Sequence, residues 1–518
     1  MCGIFAFLGN DVDLKTLLKY FIKIYHRGPD NSNFLTIKDD IYFGFHRLKI
    51  NGLDMKSNQP FHIKACYLIC NGEIYNFEEL KKSYPEYETS SDCEIIIHLY
   101  RRHGIEKTLQ MLDGVFAFML YDEVKNVVYA ARDPIGIRPL FYGYTEDGMA
   151  FASEAKAITF SNDYKQFPPG SWWSSNSPLD FNKYYSFDYK VIPVESEKQV
   201  LRNINSLLRS AVHKRLMSER EVGCLLSGGL DSTLVTALVA RNYEPGKLRT
   251  YSIGMEGSVD LYWARKAAEY LGTEHHEICL TEEQFLDAIE KTIYQIESYC
   301  TTSVRASVGN YLVSLYIKEN TPDVVIYCGD VSDEIFGSYR GFMKAPSNEE
   351  FIKANNKIVE DVHLFDVLRS DRSISGAGLE ARVPFADKDF LNYVMSLPPE
   401  YKMFNSDKME KYYLRKAFDG YLPDDLLWRR KEAFSDGVSS EKRSWFEVIR
   451  EFVNSQISDD DYERLVEMYD EPKPYDKESL YYRVIYEKYF GNTKLVPYYW
   501  RHPFCTIKDP SARLLDCY

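Results

Sequence analysis

Short apolar runs separated by polar, turn-rich stretches characterise the first 160 residues of the chain. The runs are GIFAFLG, IYFGFHRLKI, CYLICNGEIY, GVFAFMLYD and NVVYAARD, and their alternating or continuous apolar character is typical of β-strands. Residues 14–25 and 92–103 instead carry apolar positions at helical spacing. The pattern predicts a packed α+β domain in which strands dominate.

The pattern changes twice further along the chain. Residues 161–200 include FPPGSWWSSNSPLDFNKYY, a stretch rich in Pro, Ser, Asn and aromatics that predicts the end of the first domain and a linker. From about residue 200 the apolar strands EVGCLL, LRTYSIGM, HHEICL and DVVIYCGD are each followed by helical sequence, which predicts a parallel sheet covered by helices. Beyond about 350 the sequence is mostly helical. We therefore expect two domains, residues 2–190 and 200–518.

Composition and charge limit the classes of function. The chain has 518 residues, too many for one core at roughly 150 residues per domain. Its net charge of −14 argues against nucleic acid as a partner, because a polyanion would be repelled. No apolar run reaches the ~18 residues that span a bilayer, and we find no secretory signal. Ten scattered cysteines do not resemble a disulfide scaffold, so we expect a reduced, cytoplasmic protein with no membrane partner.

The chain begins Met1-Cys2-Gly3. Removal of Met1 would leave Cys2 with a free α-amino group beside its own thiol. Such an amine has a pKa of about 7.7–8.0 and can act as a general base near neutral pH. Cys2 is therefore a candidate nucleophile, although a cysteine at this position is a weak signal when it stands alone.

Ordered motifs strengthen that hypothesis. They are HRGPD at 26–30, HRL at 46–48, NGEIYN at 71–76, SDCE at 91–94 and RDPIGIRPL at 132–140. Together with Cys2 they resemble the class II glutamine amidotransferase domain, an N-terminal-nucleophile fold. The resemblance implies that Cys2 attacks the glutamine side-chain amide and that the Asn71 side chain and the Gly72 N–H bind the oxyanion. Each such donor is worth roughly 2.7–4 kcal/mol.

The glutamine backbone groups need partners as well. The planar fork of Arg47 suits the α-carboxylate, and the resemblance assigns Glu73 and Asp92 to the α-ammonium. The stretch SSD before CEIIIHLY also reads as a helix N-cap. We expect Ser90 or Ser91 to cap the helix while Asp92 binds glutamine.

The string SGGLDS at 227–232 lies between an apolar strand and a helix. Glycines let backbone N–H groups turn toward an anion, and a helix N-terminus adds partial positive charge. The loop lacks GK[ST], so it is not a Walker loop. It resembles the pyrophosphate-binding loop of N-type ATP pyrophosphatases, which release AMP and pyrophosphate. The resemblance predicts these ATP-binding residues: Leu226, Ser227, Gly228, Gly229, Asp231, Ser232, Ile253, Cys328 and Gly329.

A second acidic loop, GDVSDE at 329–334, follows another buried strand. Because the ends of parallel strands meet at one edge of a sheet, both loops should lie together. The resemblance predicts Mg²⁺ bound by Asp231 and Asp333. Asparagine synthetases, which the chain also resembles further along, usually read Ser-Gly-Glu-Gly where this chain has residues 328–331. Asp330 therefore replaces a glutamate, and we expect it to act in catalysis. We expect Val331 not to adopt the left-handed backbone that glycine allows.

Three later strings, RSDRSISGAGLEARVPFAD, KMEKYYLR and WRRKEAFSDGV, resemble glutamine-hydrolysing asparagine synthetases. The resemblance implies that glutamine, aspartate and ATP are substrates and that ammonia attacks β-aspartyl-AMP. Cations must offset the repulsion between aspartate and ATP, and we expect Lys431 to do so. Thr302, Arg305 and Arg382 are the predicted contacts of aspartate or the acyl-adenylate. An apolar ammonia channel between the domains and a homodimer are further expectations.

The two resemblances together predict the fold. It is an α+β N-terminal-nucleophile hydrolase sandwich followed by an α/β parallel-sheet ATP pyrophosphatase domain with a helical C-terminal part. Two alternatives for function stay open. One is a different adenylating amidotransferase or a ring-closing relative such as a β-lactam synthetase, although ring closure needs no ammonia. The other is a glutaminase-only regulator whose synthetase half has decayed, which the departures at 328, 330 and 331 motivate.

Overall fold

A computed structural model describes residues 1–10, 12–194, 196–491 and 494–515. The chain divides into two units. The first comprises Met1–Ser186 with the later segments Met217–Glu221 and Ser375–Glu380. The second comprises Phe187–Leu216, Val222–Ile374 and Ala381–Tyr518. The two later segments of the first unit were not predicted from the sequence, because a single cut near 190–200 was expected.

The first unit contains two antiparallel sheets and four α-helices among its described residues. Its strands are β1 (Gly3–Gly9), β2 (Asn31–Lys38), β3 (Ile41–Arg47), β4 (Phe61–Ile63), β5 (Cys66–Ile74), β6 (Gly114–Asp122), β7 (Val127–Arg132), β8 (Phe141–Tyr144), β9 (Gly148–Ala152), β10 (Asp163–Gln166), β11 (Ser171–Ser174) and β12 (Phe181–Lys183). Its helices are α1 (Leu14–Phe21), α2 (Phe77–Lys81), α3 (Ile95–His103) and α4 (Ile105–Met111). The strand orders are β10-β8-β9-β1-β3-β2 and β12-β11-β7-β6-β5-β4.

The core of the first unit forms from side chains of both sheets. Ile4 of β1 and Phe43 of β3 belong to the same buried cluster as Ile69 of β5 and Met119 of β6. A second cluster joins the other face of β5 and β6 to α3 and α4. Strands buried on both faces explain the nearly continuous apolar runs read in the sequence. The sandwich predicted for this half is confirmed.

The expected linker at 161–200 was wrong in part. Strands β10, β11 and β12 occupy residues 163–183 and complete the two sheets. Trp173 is buried in the sandwich core, so the aromatic residues of this stretch pack inside the first unit. Proline and serine content indicated a linker because these short strands are joined by turns rich in the same residues.

The second unit is built on a parallel sheet. Its strands are β13 (Val222–Leu225), β14 (Arg249–Met255), β15 (Glu274–Leu280), β16 (Val325–Tyr327) and β17 (Glu380–Arg382), in the order β15-β14-β13-β16-β17. Strand β13 pairs in parallel with β14 and β16, and β14 pairs in parallel with β15.

Helices surround this sheet and form the C-terminal part. They are α5 (Glu197–Lys214), α6 (Leu230–Ala240), α7 (Val259–Leu271), α8 (Glu282–Asp287), α9 (Ile289–Ile296), α10 (Thr301–Asn320), α11 (Ser332–Phe336), α12 (Asn348–Glu360), α13 (Asp366–Gly376), α14 (Lys388–Met395), α15 (Tyr412–Ala417), α16 (Asp424–Leu427), α17 (Phe434–Gly437), α18 (Trp445–Gln456), α19 (Asp459–Val466) and α20 (Lys477–Phe490). The predicted α/β sheet with a helical C-terminal part is confirmed. Among the described residues, no helix combines the length and apolar character needed to cross a bilayer.

Candidate active sites

Cys2 precedes β1, in the interior of the first sheet. Its backbone N–H donates to Asn71 Oδ1 at 2.8 Å, and its Sγ lies 3.8 Å from the Leu48 carbonyl oxygen. Met1 is present in the structure, and its ammonium pairs with Glu380 Oε2 at 3.1 Å. Burial raises the pKa of the Cys2 thiol, while the terminal amino group and Arg47 act in the opposite direction. The thiol therefore needs a nearby base to become a nucleophile at neutral pH.

Asn71 and Gly72 lie side by side on β5. The Asn71 side chain is fully buried, and its Nδ2 has no hydrogen-bond partner among the described residues. Because Oδ1 is held by Cys2, the amide group has its acceptor fixed and its donor available. At Gly72 an added Cβ would lie 2.5 Å from the Val115 carbonyl oxygen, so the strand admits only glycine there. An unused donor beside the Cys2 backbone is the feature that an oxyanion site requires.

Arg47 ends β3 and is almost completely buried. Its guanidinium donates to Asn58 Oδ1 at 2.6 Å, to the carbonyl of Asp54 at 2.9 Å and to the carbonyls of Asn51 and Gly52. Arg47 therefore organises the loop 51–58 in the structure. The positive charge of Arg47 also acts on the Cys2 thiol and lowers its pKa, as expected if both residues belong to a glutamine pocket.

Glu73 and Asp92 are held nearby. Glu73 Oε2 accepts from Asn51 Nδ2 at 2.6 Å, and Asp92 Oδ2 accepts from the Ile74 N–H at 2.7 Å. Ser91 supplies the N-cap, with its Oγ accepting from the Cys93 N–H at 3.3 Å. The predicted serine cap is confirmed at Ser91, and the contact of Asp92 with glutamine stays a prediction.

In the second unit a cavity of about 230 Å³ opens at the carboxyl ends of β13 and β16. Most of the predicted synthetase residues line it: Leu226, Ser227, Gly229, Asp231, Ser232, Ile253, Thr302, Cys328, Gly329, Asp330, Asp333 and Lys431. Gly228 is not among the described lining residues. Gly228 has φ +71°, and its carbonyl accepts from Arg429 Nη1 at 2.8 Å. It therefore sets the backbone conformation of the loop.

The loop 227–232 is closed by its own hydroxyls. Ser227 Oγ lies 3.0 Å from Ser232 Oγ, and the Gly229 N–H donates to Ser227 Oγ at 3.3 Å. Helix α6 begins within this segment, at Leu230. A helix N-terminus preceded by glycines and hydroxyls is suited to bind phosphate groups.

A lysine that sequence reasoning missed joins the two acidic loops. Lys411 Nζ lies 2.5 Å from Asp231 Oδ2 and 2.6 Å from Asp333 Oδ1, and Lys431 Nζ lies 2.5 Å from Asp333 Oδ1. Despite burial, the two lysines hold the pKa of Asp333 well below its usual range. Burial raises the pKa of Asp231, against the influence of Lys411. Lys411 belongs to the string KMEKYYLR, but nothing in the string marks this lysine rather than its neighbours.

Mg²⁺ fits these carboxylates. The described residues contain no group of three or more His, Cys, Asp or Glu able to hold a metal. Mg²⁺ nevertheless needs only one or two carboxylates when phosphate oxygens and water complete its shell. Asp231 and Asp333 both reach one ammonium nitrogen, so their oxygens lie close enough to share a cation.

The partners of two acidic residues in the cavity, Arg369, Tyr339 and Asp366, were also missed. Asp330 accepts from Arg369 Nη2 at 2.5 Å and from Ser370 Oγ at 2.6 Å. The Tyr339 hydroxyl bonds to Glu334 and, at 2.8 Å, to Asp366 Oδ2. Burial and Asp366 raise the pKa of Glu334 well above its ordinary value. Asp330 is therefore fixed by two partners, while Glu334 is suited to carry a proton.

Val331 corrects one expectation. It adopts a left-handed backbone, with φ +77° and ψ −13°, immediately before α11. Its side chain is 1% exposed and lines the cavity. A β-branched residue is an outlier in this region, so packing has overcome the steric preference.

Two of the predicted aspartate contacts lie outside the described lining of the cavity. Arg305 and Arg382 are not among the described residues that line the cavity. Arg305 forms a buried ion-pair cluster with Glu478 and Asp509, and Arg382 Nη1 donates to the carbonyl of Arg215. Thr302 does line the cavity, and its buried Oγ1 has no hydrogen-bond partner among the described residues. In this structure both arginines make buried polar contacts within the protein, which spacing along the sequence does not reveal.

Comparison with known proteins agrees with both halves. A family model described as a glutamine amidotransferase domain matches residues 1–214, and one described as asparagine synthase matches 203–361 and 356–508. The asparagine synthetase [glutamine-hydrolyzing] of Gallus gallus is 41% identical over 557 aligned residues, covering 100% of this chain and 99% of the relative. The proteins of the same name from Rattus norvegicus and Homo sapiens are each 40% identical with the same coverage.

Among solved structures, a B. subtilis glutamine phosphoribosylpyrophosphate (PRPP) amidotransferase overlaps 54% of this chain and 81% of its own, with a TM-score of 0.33 and 17% identity. That overlap is too loose to carry an argument. The family matches and the full-length identities decide the classification: this chain belongs to the glutamine-hydrolysing asparagine synthetase family.

Proposed function

We propose that this protein makes asparagine from aspartate, with glutamine as the nitrogen donor and ATP as the activating substrate. Glutamate, AMP and pyrophosphate are the other products. The observation that carries the proposal is that one chain of this family holds both half-sites. In the first unit the backbone N–H of Cys2 donates a hydrogen bond to Asn71. In the second unit the SGGLDS loop and the acidic loop line the same cavity.

In the first unit, we propose that Met1 is removed and that the new amine of Cys2 takes the thiol proton. The thiolate attacks the side-chain amide carbon of glutamine. Asn71 Nδ2 and the Gly72 N–H donate to the developing oxyanion, which is where an unpartnered buried donor has most effect. Ammonia leaves, and water then cleaves the thioester to release glutamate.

Glutamine is recognised at its other end. Arg47 exchanges some of its bonds to the 51–58 carbonyls for the substrate α-carboxylate, since a guanidinium binds a carboxylate more strongly than a neutral carbonyl. Glu73 and Asp92 accept from the α-ammonium.

In the second unit, Leu226 and Ile253 line the adenosine end and the loop 227–232 binds the phosphates. The β-carboxylate of aspartate attacks the α-phosphorus, and pyrophosphate leaves. Lys431 offsets negative charge that develops in this step. Ammonia then attacks the acyl carbon of β-aspartyl-AMP, and Asp330 is the proposed base for the proton it loses.

Asp231 and Asp333 are the proposed ligands of Mg²⁺. When bound, the ion would screen phosphate charge that repels the aspartate carboxylate. The loops that follow β13 and β16 hold the carboxylates of Asp231 and Asp333, and the buried lining of the cavity excludes water. A cytosolic homodimer completes the proposal; it follows the family resemblance and is checked by sedimentation and by cell fractionation.

Product analysis with glutamine, aspartate and MgATP tests the function. We expect asparagine, AMP and pyrophosphate in equal amounts. The variant Cys2→Ala should lose glutamine-dependent synthesis but keep synthesis from ammonium chloride, because the second unit is unchanged. Formation of ADP, or loss of both activities in the variant, would contradict the proposed division of labour. Mass spectrometry that finds Met1 retained on active protein would remove the proposed base.

A further inference from the structure

Lys411 holds together two carboxylates that come from separate loops. Asp231 opens α6 and Asp333 lies in α11, about a hundred residues apart in sequence. The Lys411 ammonium, 2% exposed at its side chain, bridges them at 2.5 and 2.6 Å. Among the described residues that line the cavity, Lys431 is the other lysine. It is 19% exposed, contacts Asp333 and lies 4.7 Å from the centre of the Tyr339 ring.

The charges of this cluster already balance. Two carboxylates face two ammonium groups, and Asp231 also accepts from Ser332 Oγ at 2.9 Å. A free divalent cation entering between them would meet the Lys411 ammonium at the same oxygens, and like charges at such distances repel strongly in a buried site. A nucleotide changes the balance, because its phosphates bring several negative charges that bind both the metal and a displaced lysine.

We propose that Lys411 is an internal counter-ion that excludes a free divalent cation from Asp231 and Asp333 and moves to the phosphate chain when nucleotide and metal enter together. The inference rests on the proposed metal role of these aspartates. It adds an order of binding: the metal site opens only in the presence of nucleotide. The long, flexible lysine side chain permits this exchange without movement of the loops.

Manganese binding measures the exchange directly. Free Mn²⁺ is followed by electron paramagnetic resonance during titration of the full-length protein, with and without a non-hydrolysable ATP analogue. For the wild type we expect binding at this site only with the analogue. For Lys411→Met we expect Mn²⁺ without nucleotide to bind at least tenfold tighter than in the wild type, and the double variant Lys411→Met/Asp231→Asn should lose that gain.

Two variants control for charge and position. Lys411→Arg keeps the cation and should keep Mn²⁺ excluded. Lys408 lies in the same segment as Lys411, and its Nζ donates to the Glu400 carbonyl. The variant Lys408→Met should bind Mn²⁺ as the wild type does. Circular dichroism verifies that Lys411→Met is folded; Lys411→Gln replaces it if it is not.

The outcomes separate the two proposals. Equal Mn²⁺ affinity of folded Lys411→Met and wild type without nucleotide would overturn the counter-ion role. Wild-type binding that is as tight without the analogue as with it would do the same. If Asp231→Asn binds Mn²⁺ with the analogue as the wild type does, the proposed metal ligand itself is wrong, whatever Lys411 does.

Discussion

Replacing Arg305 by methionine separates a structural role from a substrate role. Arg305 lies on α10 and donates from Nε and Nη2 to Glu478 at 2.8 and 2.6 Å, and from Nη1 and Nη2 to Asp509 at 2.9 Å each. The Arg305 and Glu478 side chains are only 3% and 5% exposed. The change would leave the buried Glu478 carboxylate without its guanidinium partner, and Asp509 with the exposed Arg450 at 3.9 Å as its cationic partner.

The expected cost follows from that burial. Removing one partner of a buried pair costs about 3–5 kcal/mol, because the remaining charge is uncompensated. At roughly 2 °C per kcal/mol for a large domain, the melting temperature of the second unit should fall by about 6–10 °C. Burial already raises the pKa of Glu478, so loss of Arg305 should leave this carboxyl protonated at a higher pH.

Differential scanning calorimetry measures the melting temperature, and steady-state kinetics at 25 °C measure the KM for aspartate. We expect a lower melting temperature with an unchanged KM for aspartate, because Arg305 does not line the cavity among its described residues. Arg450→Met is the matched control: Arg450 is 55% exposed and 3.9 Å from the same Asp509, so its loss should cost about 1 kcal/mol or less. A variant that melts like the wild type but shows a tenfold higher KM for aspartate would refute this reasoning and restore Arg305 to the substrate site.

Two further predictions concern backbone strain and pH. At Val331, both Val331→Gly and Val331→Ala lose the buried side chain, but only glycine releases the left-handed strain of about 1–2 kcal/mol. The glycine variant should therefore unfold at higher urea than the alanine variant, the reverse of the usual order; the usual order would mean that no strain is stored there. Burial lowers the pKa of Lys402 to about 7, so between pH 7 and about 10 the unfolded chain binds more protons and stability should rise with pH. Lys402→Met should lack that part of the rise in chemical denaturation at pH 7 and 9, and an identical pH slope in both proteins would show that Lys402 does not titrate in this range.

The features that the sequence predicted are those with local signals. The apolar runs fixed the strands, because a strand buried on both faces requires near-continuous apolar residues whatever its partners are. The serine cap at Ser91 was predictable for the same reason, and Cys2 and the SGGLDS loop are candidates of the same kind. Each depends on the residue types of a few consecutive positions and on the backbone that those positions adopt.

Other parts of the site were not predictable in this way. Lys411 meets Asp231 across 180 positions of sequence, and Arg305 meets Asp509 across 204. A lysine or arginine near a motif has the same local signature whether it contacts substrate, pairs with a buried acid or faces solvent. The left-handed Val331 likewise opposes its local preference and is held by packing.

The amino-acid sequence by itself predicted the two fold classes and most of the strands, and it supplied Cys2 and the SGGLDS loop as candidate nucleophile and phosphate-binding loop, since these follow from short-range patterning and backbone geometry. Only the tertiary structure decided which charges neutralise each other: Lys411 with Asp231 and Asp333, and Arg305 with Glu478 and Asp509. The physical reason is that ion pairing depends on distance and burial in space, and neither is set by separation along the chain.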